Sequence, residues 1–128
     1  MSEWKGEITV KLNGEDVKMR PSFHAMMEIE EAARLSISEL YELACVGKLS
    51  ARALGAIYYG GIQGHLSYVN SRDQDSAENS FAVVGQKVMN DGIGVHGVNA
   101  MRFLALCLTP ADQMADLNEK FDESQKKS

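Results

Sequence analysis

The histidines are the first side chains in this sequence that could bind a metal ion. His24 and Glu28 are four residues apart in a predicted helix, so both side chains share one face and could begin a metal site. The sequence supplies no third ligand at a fixed spacing from them, and it contains neither HExxH nor CxxC. The alternative is a surface histidine paired with a carboxylate. We therefore expect no metal ion and no other cofactor.

A cysteine activated by a histidine is a second arrangement that could do chemistry. Cys107 could in principle be such a nucleophile, and His65 and His96 both lie in glycine-flanked segments. Cys107, however, belongs to the most apolar predicted helix, where a thiol is usually inert. Cys45 also lies in an apolar helical segment. We expect two reduced, buried thiols, which are typical of a reducing compartment.

Gly60, Gly61 and Gly64 form the sequence GGIQG, which differs from a phosphate-binding loop. It lacks both the Lys-Ser/Thr ending and the preceding strand of such a loop. The alternative is close packing of a helix against another backbone. Because no other residue pattern indicates catalysis, the sequence predicts a protein that is not an enzyme.

Composition limits the possible partners and compartments. The chain has 128 residues and a net charge of −5, and its few basic residues are scattered. A nucleic-acid-binding surface needs a basic patch, so we expect no nucleic-acid partner. No apolar run reaches transmembrane length and the first residues lack secretory features, so we expect no membrane association. These features predict a cytoplasmic protein with a single domain spanning residues 1–128.

Residues 1–21 are predicted to contain a β-hairpin. Apolar and polar residues alternate before Asn13 and Gly14, with the period of two expected of a strand. Asn13 and Gly14 are a strong turn signal, because a type I′ turn needs positive φ at both central positions. This turn sets the register and predicts four cross-strand pairs: Val10 with Val17, Ile8 with Met19, Lys11 with Asp16, and Glu7 with Arg20.

Residues 22–108 are predicted to form a helical core. The first helix extends to about Arg34, and its apolar stripe consists of Phe23, Met26, Ile29 and Ala33. The second helix covers residues 37–46. A capping box of Ser36 and Glu39 begins it, and Gly47 ends it.

The later helices are less regular. A third helix begins at Ser50 and continues to about residue 66, unless its glycines end it near Gly60. Residues 68–75 are predicted to be a polar, mobile loop, followed by a fourth helix at about residues 76–90. The fifth helix, at about residues 95–108, is apolar almost all round. This pattern is typical of a central, buried helix.

Residues 109–128 are predicted to form a short amphipathic helix and a frayed tail. Thr109 caps this helix, Pro110 takes its first position, and residues 122–128 fray into solvent. Met114, Leu117 and Phe121 share one face of the helix. The predicted fold class is therefore mainly α, with an N-terminal β-hairpin followed by five to six helices, or α+β at the N-terminus.

The N-terminal half resembles a known family of phage proteins. The resemblance covers about residues 5–65. Residues 5–64 of this segment read KGEITVKLNGEDVKMRPSFHAMMEIEEAARLSISELYELACVGKLSARALGAIYYGGIQG. This segment resembles the tail assembly chaperones of long-tailed phages. It shares with them a G-E-I strand, an N-G turn, a glutamate-rich helix, an S-x-x-E helix start and an L-S-A-R-x-L segment with a glycine-rich end. In particular, the segment resembles the version found among gene-transfer-agent tail proteins.

This resemblance implies a non-enzymatic role. Such chaperones coat the tape-measure protein, recruit tail tube subunits and are absent from the mature virion. The expected partners are therefore the tape-measure protein and the tail tube protein. A structural head–tail or tail adaptor protein, and a small regulatory binding module, are the alternatives.

The expected partner contacts are apolar residues on amphipathic helices. They are Met26, Met27 and Tyr41 in the first helix pair, and Met114, Leu117 and Phe121 in the terminal helix. We also expect a homo-oligomer, because a hairpin with open edges and an amphipathic tail both invite contacts between copies.

Overall fold

The computed structural model describes residues 6–126, and it confirms the predicted fold class. It is mainly helical, with a two-stranded antiparallel hairpin followed by six α-helices in this part of the chain. The elements are β1 Ile8–Leu12, β2 Glu15–Met19, α1 Phe23–Ala33, α2 Ile37–Cys45, α3 Ala51–Tyr68, α4 Phe81–Asp91, α5 Ile93–Cys107 and α6 Met114–Lys126. Short 3-10 turns lie at Arg72–Asp75, Ala77–Asn79 and Ala111–Gln113. None of the described helices is long and apolar enough to cross a membrane.

The hairpin has the predicted register. Asn13 and Gly14 have φ values of 54° and 85°, as a type I′ turn requires. Three of the predicted pairs lie directly opposite each other in the ladder: Val10 with Val17, Ile8 with Met19, and Lys11 with Asp16. The fourth pair, Glu7 and Arg20, lies just outside the ladder, with Glu7 Oε2 and Arg20 Nη1 3.8 Å apart. The alternating apolar side chains of β1 are buried in the core.

The central helix is α3, and the prediction that α5 is central was wrong. Eleven residues of α3 are buried, from Ala53 to Gly64, and α3 contacts α1, α4, α5 and β2. In α5 the buried residues lie on one side and in the C-terminal half, and Val95 and Val98 are exposed. The apolar character of α5 reflects an apolar outer surface as well as a core face.

The glycines of α3 let two other elements approach its backbone. A Cβ atom at Gly60 would lie 2.3 Å from Ile29 Cγ1, and one at Gly64 would lie 2.4 Å from the Arg20 carbonyl oxygen. A Cβ at Gly61 would lie 2.6 Å from Met19 Cε. The predicted close packing is therefore confirmed, and the alternative of a helix ending near Gly60 is wrong.

The second helix begins and ends as predicted. The Ser36 hydroxyl accepts from the Glu39 N–H at 3.1 Å, and the Glu39 carboxylate accepts from the Ser36 N–H at 3.2 Å. These two bonds form the capping box. Gly47 follows the helix in the left-handed region with a φ of 68°. Its lack of a side chain makes this conformation easy to adopt.

The buried face of α1 differs from the predicted stripe. Ala25, Ile29 and Ala33, spaced four residues apart, are buried, whereas Phe23 is 78% exposed. The core face is shifted because Ile29 packs against Gly60 and the small Ala25 packs against Gly64, and Phe23 does not lie on the side of α1 that carries these two residues.

Two predicted helix starts were wrong. The fourth helix begins at Phe81 instead of residue 76, because the Ser80 hydroxyl accepts from the Val83 N–H at 3.3 Å and caps it there. The polar segment before it contains two 3-10 turns, and α3 extends into it as far as Tyr68. Thr109 does not cap the last helix, since its hydroxyl donates back to the Ala105 carbonyl at 2.6 Å.

The last helix is longer than predicted. It continues to Lys126, so the expected fraying of residues 122–126 was wrong. The rest of the predicted frayed tail, Lys127 and Ser128, lies outside the described residues, as do residues 1–5 of the predicted hairpin segment.

Two glycine substitutions test the close approach to α3. We expect Gly64→Ala to lower the free energy of unfolding by ~1–3 kcal/mol, because the new methyl group would overlap the Arg20 carbonyl oxygen. Gly85→Ala, inside α4, is the matched control. A Cβ there meets nothing within 4 Å, so the better helix propensity of alanine should stabilise the protein by up to ~1 kcal/mol. Urea denaturation measures both changes, and wild-type stability in Gly64→Ala would contradict the packing described.

Candidate functional site

A chain of hydrogen bonds joins α3, α5, the end of α4 and the hairpin turn. The Tyr58 hydroxyl lies 2.6 Å from His96 Nδ1, and His96 Nε2 lies 2.8 Å from Asp91 Oδ2. The Asn13 backbone N–H donates to the same carboxylate oxygen at 2.8 Å. With Asp91 ionised, the His96 Nε2–H donates to the carboxylate and Nδ1 accepts from the Tyr58 O–H.

The surroundings of this chain determine what it can do. The Asn13 N–H, followed by the bond to His96, holds the pKa of Asp91 below its ordinary value. Burial raises the pKa of Tyr58 far above the physiological range. A carboxylate, an imidazole and a hydroxyl in this order resemble a hydrolytic triad. The Tyr58 side chain is fully buried, however, and it offers no surface to a substrate in this structure. The bonds instead connect four elements of the fold.

A second polar cluster attaches the hairpin to the C-terminal half of α3. Glu7 Oε2 lies 2.9 Å from His65 Nδ1, and the Glu7 side chain is only 5% exposed. The guanidinium carbon of Arg20 lies 3.5 Å from the centroid of the Tyr68 ring, a cation–π contact. Sequence reasoning predicted the Glu7–Arg20 pair but missed His65 as its third member.

The metal and thiol candidates have little support in the structure. His24 is exposed, and residues 6–126 include no group of three or more metal-binding side chains placed to hold an ion. Burial raises the pKa of the Cys107 thiol to about 12, so this thiol stays protonated and unreactive. Cys45 is exposed, and the expectation of a buried thiol there was wrong because it ends α2 on the outer side. A hydrogen bond with Cys45 raises the pKa of Tyr41.

The three predicted contacts in the first helix pair differ in exposure. Met26 and Tyr41 are half-buried and pack against the core. Met27 points outward and is 52% exposed. Met27 is thus the member of this set that is most available to a partner.

The three predicted contact residues in α6 are buried to different degrees. Met114 is buried, and Leu117 is half-buried against the core. Phe121 is half-buried, with its ring centroid 5.9 Å from the guanidinium carbon of Arg102. Arg102 also donates to Asn118 at 2.9 Å and pairs with Asp122 at 3.2 Å. These contacts fix α6 against α5.

A strip on α5 whose exposed part is apolar was missed at the sequence level. The outer strip of α5 consists of Val95, Val98 and Arg102, which share one side of the helix at spacings of three and four. α6 contacts this strip at Arg102, whereas Val95 and Val98 are 64% and 53% exposed. An apolar helix sequence gives no sign of which side remains uncovered, so only the tertiary structure identifies the strip.

A small groove lies on another side of α5. The α2–α5 groove has a volume of about 180 Å³ and is lined by Ala44, Gly47, Leu49, Leu54, Ile93, Gly94 and Gly97. Leu54 is buried, whereas Ile93 is 37% exposed. The lining side chains are all apolar, and the polar part of the lining consists of backbone atoms, so the groove can take a hydrocarbon or aromatic group.

Comparisons of this chain with protein-family models, curated proteins and solved structures gave no match. The surfaces described above are therefore the structural basis for a functional proposal. The resemblance to tail assembly chaperones remains an expectation from the sequence.

The Asp91 carboxylate provides a test of the hydrogen-bond chain. Because the folded state lowers its pKa, the ionised carboxylate contributes stability above about pH 4, and this contribution is lost as the pH falls through the folded-state pKa. We expect Asp91→Asn to destabilise the protein near neutral pH, and the difference from wild type to shrink between about pH 5 and pH 3. Asp116→Asn, at an exposed aspartate in α6, is the control. Denaturation curves across this range measure the effect, and a constant difference would contradict it.

Proposed function

We propose that this protein is a non-enzymatic tail assembly chaperone that covers apolar helical segments of a tape-measure protein and recruits tail tube subunits. The sequence resemblance over about residues 5–65 suggests the family. The outer strip of α5 is the single structural observation that carries the proposal. It offers a helical partner an apolar surface that the fold itself does not need to bury.

The outer strip suits a helix because α5 already has a complete core face. His96, Ala100 and Phe103 bury the opposite side of α5, so Val95 and Val98 contribute little to the core. α6 lies along the C-terminal part of the strip, at Arg102. A partner helix placed on the N-terminal part would bury the two valines as part of a helix–helix contact.

The strength of such a contact suits a coat that is later removed. Fully burying a valine side chain contributes about 1.5–3 kcal/mol, and part of Val95 and Val98 is already shielded. Each copy therefore binds weakly, and many copies along a long helix hold the coat in place together. The net charge of −5 favours solubility of the coated partner.

The residues predicted as partner contacts have different roles in this proposal. Leu117 and Phe121 lie on the helix that borders the outer strip and could extend the contact, whereas Met114 belongs to the core. Met27 is a separate candidate contact on α1. Met26 and Tyr41 serve mainly the packing of their own helices.

Coexpression with the tape-measure protein of a long-tailed phage tests the proposal. We expect the wild type to keep that partner soluble and to copurify with it. Val95→Asp with Val98→Asp should abolish both effects, because two carboxylates would be buried under the partner helix. Val69→Asp is the matched control, since Val69 is also about half exposed but belongs to the end of α3.

Each outcome of this experiment has a defined meaning. If the wild type fails to bind the tape-measure protein, the chaperone proposal is wrong. If the double variant is folded by circular dichroism and solubilises the partner as well as the wild type does, the outer strip is not the binding surface.

We further propose that the protein acts in the host cytoplasm and leaves before the particle is complete. Mass spectrometry of purified particles distinguishes this role from that of a tail adaptor. A chaperone should be absent from the particles but present in lysates during assembly. An adaptor would be found in the particles in fixed proportion to the tube subunits.

A further inference from the structure

We propose that the Phe23 ring of one copy of this protein occupies the α2–α5 groove of a second copy. Phe23 is 78% exposed, the highest value among the exposed large apolar side chains of the described residues. It begins α1, and the Ser22 cap and the α3 contact fix the position of that helix. This proposal concerns self-association and goes beyond the proposed function, because it uses neither Val95 nor Val98.

The groove matches the size and chemistry of a phenyl ring. A dry cavity of about 150 Å³ lined by aliphatic and aromatic side chains binds benzene. The groove, with about 180 Å³, has room for such a ring; it is open to solvent on one side and is lined by apolar side chains and backbone atoms. Burying the ring there removes two exposed apolar surfaces from water in one contact.

The ring of the same chain cannot reach the groove. The Ser22 hydroxyl lies 3.2 Å from the position that a Cβ atom of Gly64 would take. Because Phe23 is the next residue after Ser22, Phe23 lies near the C-terminal half of α3. Leu54, which lines the groove, is in the N-terminal half of α3. The ten residues between Leu54 and Gly64 correspond to about 15 Å along the helix axis, more than twice the reach of a phenylalanine side chain. A Phe23 ring that occupies this groove must therefore come from another copy.

Charge also favours a second copy over an unrelated apolar group. Lys48 is exposed and lies between Gly47 and Leu49, two residues that line the groove. On α1 the outward side that carries Phe23 continues through Met27 to the exposed Glu31, in steps of four residues. The Lys48 ammonium beside the groove of one copy would thus attract the Glu31 carboxylate of the other, which favours one orientation.

The contact joins two different surfaces, so it is heterologous. A heterologous contact leaves one free groove and one free ring in every dimer. Further copies can therefore add in the same way, which gives rings or open chains. This arrangement is a specific form of the homo-oligomer expected from the sequence.

Sedimentation velocity of the full chain without any partner tests the contact. We expect the wild type to form species larger than a monomer as its concentration rises. Phe23→Asp should raise the dissociation constant by about tenfold or more, because it removes the ring. Gly97→Leu should do the same by filling the groove, since Gly97 lines it and nothing lies within 4 Å of a Cβ atom at this position.

Mixing the two variants is the decisive measurement. Phe23→Asp keeps an intact groove and Gly97→Leu keeps an intact ring, so an equimolar mixture should form dimers that cannot grow further. Ile93→Asp is a second groove variant if Gly97→Leu does not fold. Lys48→Glu should weaken the contact about two- to fivefold, and Val69→Asp should leave it unchanged.

Three results would overturn the proposal. They are a wild type that stays monomeric at millimolar concentration, a folded Phe23→Asp variant that associates like the wild type, and two monomeric variants that fail to pair when mixed. Because no tape-measure protein is present, these results are independent of the chaperone proposal.

Discussion

The close approach of backbones along one side of α3 is the constraint on which the rest of the fold depends. Gly60, Gly61 and Gly64 have no side chains where α1 and the end of β2 lie against the helix. The contact is direct enough for the Arg20 N–H to donate to the Gly61 carbonyl at 3.0 Å. Glycine weakens an isolated helix by about 1 kcal/mol per residue, and tertiary packing offsets this loss here. The same glycines make α3 the centre of the fold.

Polar contacts then fix the orientation of elements that apolar packing alone would leave less defined. The Asn13–Asp91–His96–Tyr58 chain joins the hairpin turn to three helices, and its buried members are hydrogen-bonded. A fully bonded buried network restricts the arrangements that a core can adopt, because most alternatives leave a polar atom without a partner. It complements the glycine contacts, which hold the opposite end of the hairpin.

Sequence reasoning succeeded where the deciding residues are neighbours in the chain. The hairpin register depends on Asn13 and Gly14, and the start of α2 depends on Ser36 and its capping box. Sequence reasoning failed where the structure depends on contacts between elements that are distant in the chain. Hydrophobicity favoured Phe23 for the core face of α1, but Ala25 and Ile29 are the residues that pack against the glycines of α3. The hydrogen-bonded histidines and the exposed side of α5 have no local signal, since their partners and coverage depend on tertiary structure.

The bond between the Asn13 N–H and Asp91 has a consequence for synthesis of the chain on the ribosome. Its two residues are 78 positions apart. At about 5–20 residues per second, roughly 4–16 s pass after Asn13 is made before Asp91 exists. For most of this interval α3 is incomplete, and throughout it α4 is incomplete and the bond that fixes the turn cannot form, so the apolar face of the hairpin is not fully covered. The hairpin is thus translated before the helices that cover it and reaches its final position only after α4 is complete, so the nascent chain is more prone to aggregation until then.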